Sequence, residues 1–263
     1  MRLLFILLIA FMTLHSAEVP QLKVAIIGGM TMSGFWQEIE KRFESKYAIK
    51  LITLASGPKH ILDEACRSED IDLVTMHASD TISDLVADGG FVDLMPWVRN
   101  RQAIIGPKTN PANIKEGDDV KTILEKIVSS KAKFLLHDSS GSMQVLHVLI
   151  YHYNIAFASE QILYTQNKRE LIHEASRQNA YTIFGQIPFL MKKQFREDMK
   201  IYSSDERYLQ RPYLVAIGSK ERIGERRYEN AKKLQEFLLS SEIQKFIKEF
   251  QGVDGEQIFF PIK

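Results

Sequence analysis

The fold is indicated first by residues 22–43, which read LKVAIIGGMTMSGFWQEIEKRF. Residues 22–27, apolar except for Lys23, form a run that ends at Gly28-Gly29, a pattern typical of a buried parallel strand followed by a tight turn. The residues after the turn have a helical period, with an apolar face formed by Phe35, Trp36, Ile39 and Phe43. We expect Ser33 to cap this helix at its N-terminus. The stretch therefore predicts a strand, a turn and an amphipathic helix in succession.

The same order recurs through the rest of the chain. Further strands are predicted at residues 49–54, 71–76, 103–106, 134–136 and 213–217. Helices are predicted from Pro58 onward, at residues 81–87 and 143–153, and twice near the C-terminus, where Ser241 and Gln244 form a capping box. A segment rich in Pro, Asn and Gly, residues 108–118, separates two such units. The pattern predicts an α/β fold with a parallel sheet covered on both faces.

Composition excludes several classes of protein. The chain has 263 residues, 45% of them hydrophobic and 25% charged, which is typical of a globular protein with a substantial core. The 34 Lys and Arg residues nearly balance the 33 Asp and Glu residues. This near-zero net charge is unlike that of a dedicated nucleic-acid-binding protein. The single cysteine, Cys66, excludes an intramolecular disulfide and a cysteine zinc site. It lies on a predicted apolar helix face with Ile61, Leu62 and Ala65, which favours a core role over a reactive thiol.

The N-terminus has the pattern of a secretory signal peptide. Met1-Arg2 is positively charged, residues 3–14 are apolar, and small residues follow up to Ala17. The apolar run is shorter than the roughly 20 residues of a comfortable membrane span, although an uncleaved anchor remains the alternative. We therefore predict a signal peptide at residues 1–17 and an exported, soluble mature chain.

Three predicted strand-to-helix turns share one chemistry. They lie at residues 28–33, 55–59 and 138–142, and each is rich in Gly, Ser or Thr. Such turns direct free backbone N–H groups and a helix dipole toward one point, and hydroxyl groups add hydrogen-bond donors. In open α/β sheets, ligands bind at the carboxyl ends of the strands, where these turns lie. The three together predict a cleft for an anion or polar ligand, whereas each alone is also compatible with an ordinary helix cap.

Other chemistries have weaker support in the sequence. The chain lacks GxGxxG spacing, a P-loop, a GxSxG elbow and an HExxH motif, so we expect no cofactor and no metal site. A hydrolase using Ser140 or Ser142, with His137 as base, remains an alternative. Residues 220–233 carry six basic and three acidic residues, which indicates a solvated face of mixed charge and not a nucleic-acid-binding patch.

Several ordered motifs resemble the periplasmic substrate-binding proteins of ABC transporters, and in particular the tungstate-binding branch of the family that binds molybdate and tungstate. The resemblance covers nearly the whole mature chain. Its motifs are residues 104–111 (IIGPKTNP), 138–142 (DSSGS), 180–182 (AYT), 211–216 (RPYLVA), 239–245 (LSSEIQK), 252–254 (GVD) and 259–261 (FFP).

This resemblance implies a type 2 periplasmic-binding-protein fold, in which two α/β lobes are joined by two crossing strands that act as a hinge. Lobe one would comprise residues 22–100 and 212–263, and lobe two residues 101–211. It further implies a periplasmic, monomeric binding protein without enzyme activity. Its partners would be a small-molecule or oxyanion ligand and an ABC transporter permease.

The family's binding loops are only partly kept. Gly28-Gly29 falls where the family has a run of Thr ending in Ser, and Leu136, His137 and Asp138 occupy the region where it has an Arg. We therefore expect tungstate and molybdate to bind weakly, and a larger organic anion or peptide-like molecule remains an alternative ligand, bound for sensing without transport. The residues expected to contact the ligand are Gly28, Gly29, Thr31, Ser33, Ser56, Gly57, His137, Ser139, Ser140, Gly141, Ser142, Tyr181 and Gln186. For Tyr181, a core role is the alternative.

Overall fold

The computed structural model describes residues 19–137, 141–167, 169–203 and 207–262. The predicted signal peptide at residues 1–17 and the turn residues Asp138, Ser139 and Ser140 lie outside this part of the chain. Strands and helices alternate through most of the described residues, as the sequence predicted. Within these ranges, every helix is too short or too polar to cross a bilayer.

The strands are β1 (Gln21–Ile27), β2 (Lys50–Gly57), β3 (Leu73–His77), β4 (Phe91–Pro107), β5 (Phe134–His137), β6 (Ile162–Thr165), β7 (Thr182–Gly185), β8 (Met199–Ser203), β9 (Gln210–Gly218) and β10 (Phe260–Pro261). The α-helices are α1 (Gly28–Met32), α2 (Phe35–Tyr47), α3 (Lys59–Ser68), α4 (Asp80–Ala87), α5 (Val120–Ser129), α6 (Gly141–Tyr153), α7 (Leu171–Arg177), α8 (Gln186–Met191), α9 (Phe195–Asp198), α10 (Lys220–Ile223), α11 (Glu225–Leu239) and α12 (Ser241–Glu249).

The main sheet has the strand order β10-β4-β9-β3-β1-β2. Strands β1, β2 and β3 are parallel, whereas β9 is antiparallel to both β3 and β4. The prediction of a parallel sheet is therefore correct for β1 to β3 and wrong for the sheet as a whole. The reason is that β9 brings the chain back from residues 101–211 in the direction opposite to β3.

Strand β4 is 17 residues long and changes partner along its length. It pairs with β9 up to Arg101, with β7 from Gln102 onward, and with β8 near its end. Residues 103–106 alone were predicted as a strand because Asp93, Pro96 and neighbouring polar residues interrupt the apolar pattern of its first half. Irregular register on both sides of Pro96 accommodates the proline. Strands β4 and β9 thus run side by side from the main sheet to the strands of the second half.

In the second half, β5 is parallel to β6 and lies beside the chain that enters β7. The Leu135 N–H donates to the Tyr181 carbonyl at 2.7 Å, and the Tyr181 N–H donates to the Lys133 carbonyl at 2.9 Å. This pattern makes β5 and β7 parallel neighbours. A separate apolar cluster, built mainly from α5, α6 and β5, packs here, apart from the larger core of the main sheet.

Several local predictions need correction by a residue or two. Ser33 ends α1 and donates its hydroxyl proton to the Gly29 carbonyl at 2.9 Å; the residue at the N-cap of α2 is Gly34, whose φ of 77° favours glycine. Helix α12 is capped by Ser240, which accepts from the Ile243 N–H, and not by Ser241. The prediction for Cys66 is confirmed, since its side chain is fully buried in the core.

Candidate ligand-binding site

The turns after β1 and β2 lie against each other. Gly57, the last residue of β2, pairs with Ile27, the last residue of β1, and α1 begins directly afterward at Gly28. A Cβ atom built on Gly28 would lie 3.3 Å from the Gly57 Cα, so only glycine lets the two backbones approach this closely without displacement. The Thr31 and Ser56 hydroxyl oxygens are 2.6 Å apart. Gly28, Thr31, Ser56 and Gly57, predicted separately, are therefore one local structure.

Most hydroxyl protons of these turn residues are donated to other atoms of the same turns. Thr31 donates to the Gly28 carbonyl at 3.1 Å, which leaves Ser56 as the donor in the Thr31–Ser56 hydrogen bond. Ser33 lies within reach of the Gly29 and Met30 carbonyls, at 2.9 and 3.1 Å. Donors to a ligand at this edge must therefore come mainly from backbone N–H groups at the start of α1.

The opposite side of the predicted cleft is built from the carboxyl ends of β5 and β7. Because these strands are parallel neighbours, His137 at the end of β5 and Gly185 at the end of β7 lie at the same edge. Helix α6 follows β5 and helix α8 follows β7, so Ser142 and Gln186 both lie near that edge, and both are buried. Ser139 and Ser140 fall outside the described residues. Gly141 is the first residue of α6, and a Cβ atom there would meet no atom of the described residues within 4 Å.

Helix α8 lies close to the first turn. A Cβ atom built on Gly29 would lie 3.9 Å from the Ile187 Cδ1 and 3.6 Å from the Tyr213 hydroxyl. Ile187 near the start of α8, the Tyr213 hydroxyl and Gly29 in α1 are therefore close neighbours. The cleft predicted between the turns at residues 28–33, 55–59 and 138–142 stays a prediction, because Asp138, Ser139 and Ser140 lie outside the described residues.

Two predicted ligand residues have protein partners. One ring nitrogen of His137, Nε2, lies 3.1 Å from the Gln166 carbonyl, which can only accept, so this nitrogen is a donor. Tyr181 is fully buried; its hydroxyl accepts from the Ala112 N–H at 3.1 Å and donates to the Asn110 Oδ1 at 3.2 Å. The position of Tyr181 favours the core role that was its alternative.

A polar face on the crossing strands was not predicted as part of the site. In the register of the sheet, His77 is opposite Tyr213, and Asn100 is opposite Arg211. The His77 and Tyr213 rings stack with centroids 4.2 Å apart. Burial raises the pKa of the Tyr213 phenol well above its ordinary value, and burial lowers the pKa of the Arg211 guanidinium.

The sequence does contain a signal for this face. Polar or aromatic residues stand at the end of an apolar strand in Met76-His77 and at its beginning in Arg211-Pro212-Tyr213. What the sequence does not give is the pairing of β4 with β9, strands that are about a hundred residues apart and whose register places these side chains together.

Two surface grooves lie away from these turns. One is lined by charged side chains of α2 with Glu242 of α12, and the other by residues around Lys108 and Asp198. Both contain mostly exposed, mutually compensating charges and neither is at the carboxyl end of a parallel strand, so we do not assign the ligand to them. The described residues contain no cluster of His, Cys, Asp and Glu suited to holding a metal ion.

Comparison with known proteins gives a family match over most of the chain. Residues 23–250 match the model of a family described as bacterial extracellular solute-binding protein. A protein of Haloferax volcanii whose name assigns it to anion binding for an ABC transporter is 22% identical over 236 residues, which is 87% of this chain and 68% of that protein.

Solved structures show the same fold. A tungstate-binding protein of Desulfovibrio alaskensis superposes with a TM-score of 0.75 at 22% identity, covering 92% of this chain and 98% of the other. A tungstate ABC transporter structure from Geobacter sulfurreducens gives a TM-score of 0.69 at 23% identity, covering 88% and 98%. These are type 2 periplasmic binding proteins, so the predicted two-lobed fold class with two crossing strands is confirmed. At this level of identity the likeness concerns the fold alone.

Proposed function

Because the chain belongs to the bacterial extracellular solute-binding proteins, we propose that it binds one small anion or polar solute between its lobes and delivers it to the permease of an ABC importer. The observation that carries the proposal is that Gly29, in the turn after β1, lies beside Ile187 of α8 and the Tyr213 hydroxyl, so that turns from both halves of the chain come together at one point. Backbone N–H groups at two helix starts favour a negatively charged or strongly polar ligand. The anion-binding name of the Haloferax relative supports the same class of ligand.

We take the lobes to be residues 22–100 with 212–263 and residues 101–211. The register of β4 supports this division, because its pairing passes from β9 to β7 between Arg101 and Gln102. Closure would then occur by bending of β4 and β9 near these residues. Small-angle scattering should show a smaller radius of gyration when a bound ligand is added at saturation. An unchanged radius with ligand demonstrably bound would argue against hinge closure.

The family description supports a periplasmic or extracellular location for the mature chain, after removal of residues 1–17. We propose that one copy of the chain acts as a monomer and docks on the permease. The alternative is a sensor of a larger organic anion or peptide-like molecule that operates without transport. Gly29, whose missing side chain leaves room beside the Tyr213 hydroxyl, favours that larger ligand. Uptake of the ligand is measured in cells that lack the gene and in the same cells after the gene is restored. An importer component should restore uptake, whereas a sensor would leave uptake unchanged.

Thermal unfolding in the presence of a solute panel tests the proposed ligand class. The panel contains tungstate, molybdate, sulfate and small organic carboxylates, with the neutral amide of each carboxylate as matched control. A ligand at 100 times its Kd stabilises the folded chain by about 2.7 kcal/mol, which corresponds to a rise in Tm of roughly 5–10 °C for a chain of this size. We expect at least one anion to reach this shift, its neutral amide to give none, and tungstate and molybdate to give little. Equal stabilisation by the neutral amides would contradict anion recognition.

A further inference from the structure

We propose that Arg211 binds the negative charge of the ligand and that the ligand is a small organic carboxylate carrying a hydroxyl or amino group. This inference rests on the proposed function and makes it more specific. Arg211 was not among the predicted ligand residues, and its assignment comes from strand register, burial and the lack of an anionic partner among the described residues.

The register places Arg211 at the ligand edge. Strand β9 is antiparallel to β3, and Tyr213 is opposite His77, the last residue of β3. Arg211 precedes Tyr213 by two residues, so it lies beyond the carboxyl end of β3 and on the same face of the sheet as Tyr213. That face is the one toward Gly29 and α8, because the Tyr213 hydroxyl lies beside Gly29.

Arg211 has no anionic partner in the part of the chain that the structure describes. The other arginines of the crossing strands are engaged: Arg99 donates to the Pro261 carbonyl and to Gln210, and the Arg101 guanidinium lies 3.8 Å from the Phe260 ring centroid. Arg211 is only partly exposed, and the charge of its guanidinium is disfavoured there by burial. A desolvated cation without a counter-charge destabilises a fold, so such a group indicates a function such as anion binding.

Unpartnered amide groups lie opposite this cation and further along the same crossing strand. Asn100, directly opposite Arg211, is 3% exposed, and its Oδ1 lacks a hydrogen-bond partner among the described residues. Two glutamines share this property: Gln102, two residues further along the same face of β4, and Gln186, at the start of α8. Each is 4% exposed, and the Oε1 of each also lacks a hydrogen-bond partner among the described residues. Buried amides of this kind are rare unless a ligand or water completes their hydrogen bonds.

The chemistry of this set favours an organic carboxylate over an inorganic oxyanion. The planar guanidinium fork of an arginine matches the two oxygens of a carboxylate. Amide oxygens require donors, which an oxyanion such as tungstate lacks and a hydroxyl or amino group supplies. A single permanent positive charge on this face also suits a singly charged group better than a buried dianion.

The test compares four forms of the mature chain: wild type, Arg211→Gln, Asn100→Asp and the control Arg207→Gln. Arg207 is exposed, lies four residues from Arg211, and loses the same charge when replaced. Thermal unfolding and calorimetric titration use acetate, lactate, glycine, glutamate, sulfate and tungstate as probes. For the best-bound carboxylate we expect Arg211→Gln to raise Kd by about 10- to 100-fold, and Arg207→Gln to leave Kd unchanged.

Asn100→Asp makes the test independent of whether removal of the arginine perturbs folding. It leaves Arg211 in place and supplies the missing carboxylate from the opposite strand. We expect it to raise the Tm of the ligand-free chain and to weaken carboxylate binding at least as much as Arg211→Gln does. Arg211→Gln should also raise the ligand-free Tm, because it removes an uncompensated cation.

The possible failures are distinguishable. If wild type binds a carboxylate and Arg211→Gln binds it equally well, the assignment of Arg211 is overturned while the proposed function stands. If sulfate or tungstate binds more tightly than every carboxylate, the ligand class is wrong. If wild type binds none of the probes, the proposed anion-binding function is contradicted together with this inference.

Discussion

Replacement of Gly106 by alanine tests how tightly the crossing strand β4 is packed. A Cβ atom at this position would lie 2.2 Å from the Tyr181 Cδ1, 2.4 Å from its Cε1 and 3.0 Å from the Tyr202 Cε2. Carbon atoms normally pack at about 3.5–4.0 Å. The Tyr181 ring would therefore have to move by more than about 1 Å, on the separation expected for packed carbons.

Tyr181 has little freedom to make that movement. It is fully buried, and its hydroxyl is held by the Ala112 N–H and by Asn110. Overpacking of a core costs about 1–3 kcal/mol, and loss of one of these hydrogen bonds adds about 1 kcal/mol. We expect Gly106→Ala to lower the free energy of unfolding by about 3 kcal/mol on these principles.

Urea unfolding followed by fluorescence of the two tryptophans, Trp36 and Trp97, measures this change. Gly141→Ala is the matched control, because its new Cβ meets no atom within 4 Å in the part of the chain that the structure describes; it should change stability by no more than about 0.5 kcal/mol. In a Tyr181→Leu background, the cost of Gly106→Ala should shrink, since the colliding ring is gone. Equal stability of Gly106→Ala and wild type would show that the Tyr181 ring can move aside at no cost.

Three further predictions concern other parts of the molecule. Burial raises the pKa of the Cys66 thiol to about 12. Iodoacetamide at pH 8 should therefore leave Cys66 unmodified in the native chain and alkylate it in urea. Rapid alkylation of the native chain would contradict the core position of Cys66. The buried Gln161 amide nitrogen lies within hydrogen-bond distance of three backbone carbonyls at and after the end of α5. Gln161→Met should therefore lower the free energy of unfolding, measured in urea, by about 2–3 kcal/mol. An unchanged free energy of unfolding would show that water replaces these bonds. Thr31→Val and Ser56→Ala should each weaken ligand binding indirectly, because their shared hydrogen bond holds the turn that positions the α1 backbone N–H groups. Their double mutant should reveal a coupling of about 0.5–1.5 kcal/mol; purely additive effects would mean that the hydroxyls act separately.

The parts of the fold that were predictable are those with a strong local pattern. The apolar run before Gly28 and the helical period of α2 come from hydrophobic periodicity, and the structure buries Phe35, Trp36, Ile39 and Phe43 as that period requires. The burial of Cys66 follows from the same kind of pattern in α3. Such features depend on residues close together in sequence.

Features that depend on distant pairing were missed. The first half of β4 contains Pro96 and polar residues, and it becomes a strand because β9 pairs with it in an irregular register. The antiparallel direction of β9, which makes the sheet mixed, is also decided by topology. The polar face at His77, Asn100 and Arg211 arises from the same long-range register, so no local motif identified it. Tyr181 was ambiguous for a related reason, because its hydrogen-bond partners lie about 70 residues away.

Native mass spectrometry of the mature chain, purified without dialysis from the cells that make it, tests the central claim most directly. We expect one small anionic solute per chain, released when the chain is unfolded and missing from Arg211→Gln purified in the same way. A chain that carries no solute, or a solute retained equally by Arg211→Gln, would contradict it.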